Sequence, residues 1–147
     1  MAIDTPGLDQ FTDLARKARA MSRDLERNLI KELADATEPL QRDIRRSAVE
    51  TLPARGGLNR RAASLRFNLR LRQRGLRLEA AAGPRGIRRM DELNRGQLRH
   101  PVWGNVRVWV RQQILPGWWD RPVQAGDARL RRAAEETLER FARRLTG

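Results

Sequence analysis

From residue 8 to residue 52, apolar side chains return at steps of three and four: Phe11, Leu14, Ala18, Met21, Leu25, Leu29, Leu33, Ala36, Leu40, Ile44, Ala48 and Leu52. That is the repeat of one buried helix face. Asp13, Lys17, Arg23, Arg27 and Lys31 fall between them and suit the wet face, with Asp13 and Lys17 spaced as an i,i+4 pair. An unbroken helix of this length would run roughly 67 Å, whereas a compact chain of this size measures roughly 40 Å across. Either the helix folds back on itself or its apolar face is covered by another subunit. Pro39 is the expected site of a kink or break, because it removes one backbone donor and crowds the carbonyl of Asp35. Pro53 and Gly56-Gly57 end the element.

The pattern then changes to a period of two. Leu65, Phe67, Leu69 and Leu71 alternate with Arg66, Asn68, Arg70 and Arg72. This predicts a half-buried strand with a basic open face. A turn at Gln73-Arg74-Gly75 leads to Leu76, Leu78 and Ala80, so the two runs read as a β-hairpin. A loop at Gly83-Pro84-Arg85-Gly86 and a short helix over 88–95 follow. Val106, Val108 and Val110 alternate with Arg107, Trp109 and Arg111 and predict a third strand. From Asp120, with Asp120 or Asp127 as N-cap, a last helix carries Val123, Leu130, Ala134, Leu138, Phe141 and Leu145 on one stripe. The expected fold is α+β in one domain: a long helix over 8–52 kinked near Pro39, a basic β region over 62–113 and a C-terminal helix over 120–146. The sheet is small and mostly antiparallel, about three strands, with the C-terminal helix on one face.

Charge narrows the function. The 147-residue chain has 31 basic and 18 acidic residues, net +13, and its only lysines are Lys17 and Lys31. Residues 1–60 are nearly balanced, with 11 basic and 10 acidic groups, while residues 61–115 hold 13 basic and 3 acidic. A one-signed segment of this kind suggests a field aimed at a polyanion or an acidic surface. There is no Cys and one His, so neither a thiolate metal cage nor a Cys–His pair is expected. No metal, cofactor or catalytic residue is expected. His100 reads as a loop histidine in a packed turn, and Asp91 and Glu92 as helix-start charges. No phosphate-cradling glycine loop is present. No secretory signal or membrane span is read. Trp103, Trp109, Trp118 and Trp119 fall within one short stretch and read as packing and interface residues ahead of a base-stacking platform. In an extended segment Trp118 and Trp119 face opposite ways, so one of them is expected to point outward.

Particular residues carry a resemblance. Leu98-Arg99-His100-Pro101-Val102-Trp103-Gly104-Asn105 precedes Val108-Trp109-Val110 and then Pro116-Gly117-Trp118-Trp119. Upstream, Leu52-Pro53-Ala54-Arg55-Gly56-Gly57-Leu58 follows the long helix. In these residues the chain resembles the tail-component family of long-tailed bacteriophages, the tail-completion or head–tail joining proteins of actinobacterial phages. Members often carry Phe where Trp103, Trp118 and Trp119 stand here. The resemblance implies a structural virion protein of the neck or head-proximal tail, assembled in the host cytoplasm. It implies a ring, expected to be hexameric, around the DNA channel, with neighbours such as a stopper, a tail terminator or the tail tube. It implies no enzymatic activity and no cofactor. Arg66, Arg70, Arg72, Arg107 and Arg111 are then the expected contacts with channel DNA or with an acidic neighbouring ring. His100, Pro101, Trp103, Gly104, Pro116, Gly117, Trp118 and Trp119 form the expected loop and interface motif. The alternative is a free basic nucleic-acid-binding protein.

Overall fold

The computed structural model describes residues 1–6, 9–72, 75–81 and 89–147. Its elements are β1 (Ala2–Pro6), α1 (Asp9–Met21), α2 (Arg23–Thr51), α3 (Leu58–Ala63), β2 (Arg66–Arg72), β3 (Gly75–Ala81), α4 (Met90–Asn94), β4 (Gln97–Val102), β5 (Asn105–Gln113) and α5 (Asp120–Thr146). A 3-10 turn at Arg55–Gly57 leads into α3. This is the expected α+β fold, with a long N-terminal helical region, a small antiparallel sheet and a C-terminal helix. The turn expected at Gln73-Arg74 and the loop expected over 83–86 lie outside the described residues.

The long apolar stripe is divided at Ser22, and the chain stays helical on both sides of Pro39. Ser22 Oγ accepts the Leu25 amide N–H at 3.1 Å. That is how an N-cap satisfies the third residue of a new helix. Asp24 and Glu26 stand in the first turn of α2, where the helix dipole favours negative charge. Arg19 reaches across the break to Glu26 at 3.7 Å. The interruption therefore comes from a start signal within an unbroken hydrophobic repeat. Pro39 costs α2 about 3 kcal/mol in principle. Burial of Leu29 and Leu33 before it, and of Leu40 and Ile44 after it, offsets this. Next to it, the buried Thr37 donates to the Ala34 carbonyl at 2.7 Å and accepts from Gln41 at 2.8 Å. Asp13 pairs with Arg16 at 3.4 Å, one residue short of the expected Lys17.

Two compact units are built from this chain. The first comprises residues 1–42, 67–81 and 125–147. Its core joins Ala15 and Ala18 of α1, Leu29 and Leu33 of α2, and Ala134, Leu138 and Phe141 of α5, with Leu69 of β2 packed against them. Leu40 lies beside Gly126, where a Cβ would meet Leu40 Cδ1 at 2.8 Å. Glu32 pairs with Arg144. As α2 advances its contacts on α5 retreat, so the two helices run antiparallel. The sheet has the order β1-β3-β2. β1 is antiparallel to β3, with Ile3 opposite Leu78, and both side chains are buried. The third strand of this sheet is thus the N-terminal β1. The expected third strand, β5, pairs with β4 in a separate two-stranded sheet.

The second unit comprises residues 43–66 and 82–124. Ile44, Ala48, Leu52, Leu58, Ala62, Leu65, Leu93, Trp118 and Trp119 are its buried apolar residues. Arg45 donates to the Leu65 carbonyl at 3.3 Å.

Replacing Ser22 by Ala is expected to lower the unfolding free energy by about 1 kcal/mol, and by Gly only a few tenths. Urea titration of the three proteins checks this. Equal midpoints for the wild type and Ser22→Ala would show that the hydroxyl does not cap α2.

Candidate functional site

The β4–β5 hairpin is the part of the second unit that folding leaves uncovered. Its turn is Trp103-Gly104, with φ of 50° and 75°. Two consecutive positive φ angles make the tight hairpin turn that matches strand twist. Glycine adopts this freely, while Trp103 is strained there. Arg99 lies opposite Arg111, His100 opposite Val110 and Pro101 opposite Trp109. Beyond Pro101 the register shifts, and Val102 lies opposite Asn105. Proline lacks the N–H that would continue the ladder, so the irregularity falls where the donor is missing. In the bulged segment the Arg107 amide donates to Asn105 Oδ1 at 3.0 Å, and the Trp109 indole N–H donates to the Val106 carbonyl at 2.7 Å.

Every residue of β5 is exposed. Trp103 at the tip is 99% exposed, Val106 72% and Val108 49%. A lone two-stranded ribbon is at best marginally stable in water, so it needs an anchor at its base. α4 and the start of α5 provide one. Asn94, itself buried, accepts the amide N–H groups of Trp119 and Asp120 on its side-chain oxygen, both at 3.1 Å. These two donors lie at the start of α5, where a helix lacks internal partners. The cap expected from Asp120 or Asp127 is therefore supplied by Asn94 instead. The Asn94 carbonyl also accepts the Gly117 amide at 2.8 Å, and the Gly96 carbonyl accepts the Ile114 amide at 2.8 Å. Gly96 has φ of 83°, and a Cβ there would stand 2.7 Å from the Ile114 carbonyl oxygen.

Trp118 and Trp119 are both buried at this base, with ring centroids 5.8 Å apart in an edge-to-face pair. The expectation that one of them points outward is overturned. The two residues lie in a turn, and turning the chain brings neighbouring side chains to one side. Of the four tryptophans, the exposed ones are instead Trp103 and Trp109. Pro116 and Gly117 belong to the base, whereas His100, expected in a loop, lies with Pro101 on β4 and pairs with Val110 of β5. His100 is half-buried, with Nδ1 3.2 Å from the Pro101 carbonyl oxygen. Among the described residues no group of three His, Asp or Glu side chains gathers to hold a metal ion. No described helix is long and apolar enough to cross a membrane.

The arginines divide by environment. Arg70 on β2 is paired with Glu79 at 3.2 Å, and Arg66 is exposed at the start of the same strand. Arg72 is on β2, but its side chain lies outside the described residues. Arg107 and Arg111 are on the hairpin, joined by Arg99, which no alternation in the sequence marks out. Its signal is visible only through the register, which sets it against Arg111. The Arg99 guanidinium also lies over the Trp109 ring, 5.6 Å from the centroid. From Leu93 to Trp119 the chain has no acidic residue. Among the described residues, no ion pair joins a carboxylate to Arg99, Arg107 or Arg111.

Gly96→Ala is expected to destabilise the fold by about 1–3 kcal/mol, because the new methyl group meets a fixed backbone oxygen at positive φ. Trp103→Ala is expected to stay within about 0.5 kcal/mol of wild type, since its ring is in solvent. Thermal unfolding followed by circular dichroism separates the two, and a Trp103→Ala protein that melts early would show that the tip is part of the core. Comparison with family models, with curated proteins and with solved structures finds no match to this chain.

Proposed function

We propose that the chain is a structural subunit of the neck or head-proximal tail of a long-tailed bacteriophage. It completes the tail and joins it to the head as one member of a ring around the DNA channel, and it acts by contact, without catalysis. The observation that carries this reading is the anchored hairpin, exposed along all of β5 with a tryptophan at its tip. An apolar ribbon held at its base and open elsewhere suits insertion into a partner. In a ring that closes head to tail, each subunit offers one surface and receives a different one. The hairpin is the offered surface, and an identical copy receives it. The His-Pro-Val-Trp-Gly and Pro-Gly-Trp-Trp segments that carry the phage resemblance are the tip and the base of this same arm.

The test is occupancy in particles. Peptides of this chain are expected in purified virions, and tagged protein is expected at the junction of head and tail by electron microscopy. The pair Val106→Glu and Val108→Glu, both on the exposed strand, is expected to keep the wild-type circular dichroism spectrum and to lower occupancy at least tenfold. Absence of the chain from purified particles would end this reading, as would full occupancy by the double variant.

A further inference from the structure

We infer that the arginine-bearing side of the β4–β5 hairpin binds the phosphate backbone of duplex nucleic acid, without reading its sequence, through Arg99, Arg107 and Arg111. This goes beyond the ring assignment and does not rest on it. Arg99 and Arg111 are directly opposite across the two strands. Like charges so placed repel, because their Cβ atoms are only about 5 Å apart. No carboxylate lies between Leu93 and Trp119 to relieve them, so the missing negative charge has to come from outside the hairpin. A phosphate seated between two guanidiniums supplies it, with paired N–H donors toward its oxygens. Arg107 extends the same charge toward the tip.

Two observations favour a polyanion over a second copy of the chain on the arginine side of the hairpin, opposite the valines. The chain as a whole carries +13, which opposes a contact made through arginine between copies. A two-stranded ribbon also has the width that a major groove accepts. Trp109 is held by its own hydrogen bond to Val106 and covered by Arg99, so it keeps the guanidinium in place and does not need to stack on a base.

The experiment is fluorescence anisotropy of the purified full-length chain with short labelled duplexes of two unrelated sequences, titrated with salt. Wild type is expected to bind both equally, with affinity falling steeply as salt rises. Replacing Arg99, Arg107 and Arg111 together by Ala is expected to make the slope of log affinity against log salt shallower by about 2.7, or about 0.9 for each phosphate no longer neutralised. Arg107→Ala alone, in the exposed bulge, is expected to remove about 0.9, and it serves if the triple variant fails to fold. Replacing Arg16, Arg27 and Arg46 by Ala removes the same net charge and is expected to leave the slope nearly unchanged. The proposal is overturned if wild type fails to bind duplex at about 50 mM salt, where phosphate contacts are strong. It is equally overturned if the hairpin and helix variants change the slope by the same amount. Binding of poly-glutamate but not of duplex through these arginines would also overturn it and identify an acidic protein as the partner.

Discussion

The side-chain oxygen of Asn94 holds two backbone N–H groups that the first turn of α5 cannot satisfy itself. Leaving such donors buried and unpaired costs about 1–3 kcal/mol each. The same residue accepts the Gly117 amide on its main chain, so α4, the Pro116-Gly117 turn and α5 are tied at one point. Gly96 then brings the hairpin out of this knot, with its carbonyl bonded to Ile114. The ribbon has no core of its own, and these few hydrogen bonds and the packed Trp118–Trp119 pair carry it.

Two chemistries share the ribbon. Val106, Val108 and Val110 make it apolar and open to water, while Arg99, Arg107 and Arg111 give it charge with no carboxylate partner among the described residues. Some arginines elsewhere stand beside acids, as Arg70 does beside Glu79 and Arg144 beside Glu32. Exposed pairs of that sort add little to stability, typically less than about 1 kcal/mol. Among the described residues such pairs occur on the helices and between β2 and β3, and none involves Arg99, Arg107 or Arg111.

The helical repeat and the strict alternation of β2 were legible because each depends only on residues near in sequence. The break at Ser22 was also written locally, as serine followed by acids, but the continuous apolar stripe concealed it and Pro39 drew attention away. β1 is short and contains Pro6, so it has little pattern of its own and depends on β3, a partner far along the chain, with Ala2 opposite Glu79 and Pro6 opposite Gly75. β4 was hidden by Pro101, which argues against a strand until a hairpin partner tolerates the missing donor. The arginines of the arm were half legible: Arg107 and Arg111 follow from alternation, whereas Arg99 acquires meaning only beside Arg111.

What the sequence by itself determined is the long helical repeat, the alternating strands β2, β3 and β5, the C-terminal helix, the excess of arginine in the middle of the chain and the lack of thiols. These follow from side-chain period and composition, which need no third dimension. Only the tertiary structure decided which strands pair, that Trp118 and Trp119 are both buried, and that β5 remains exposed on both faces. Pairing and burial are set by residues distant along the chain competing for the same neighbours, and no local pattern records which of them wins.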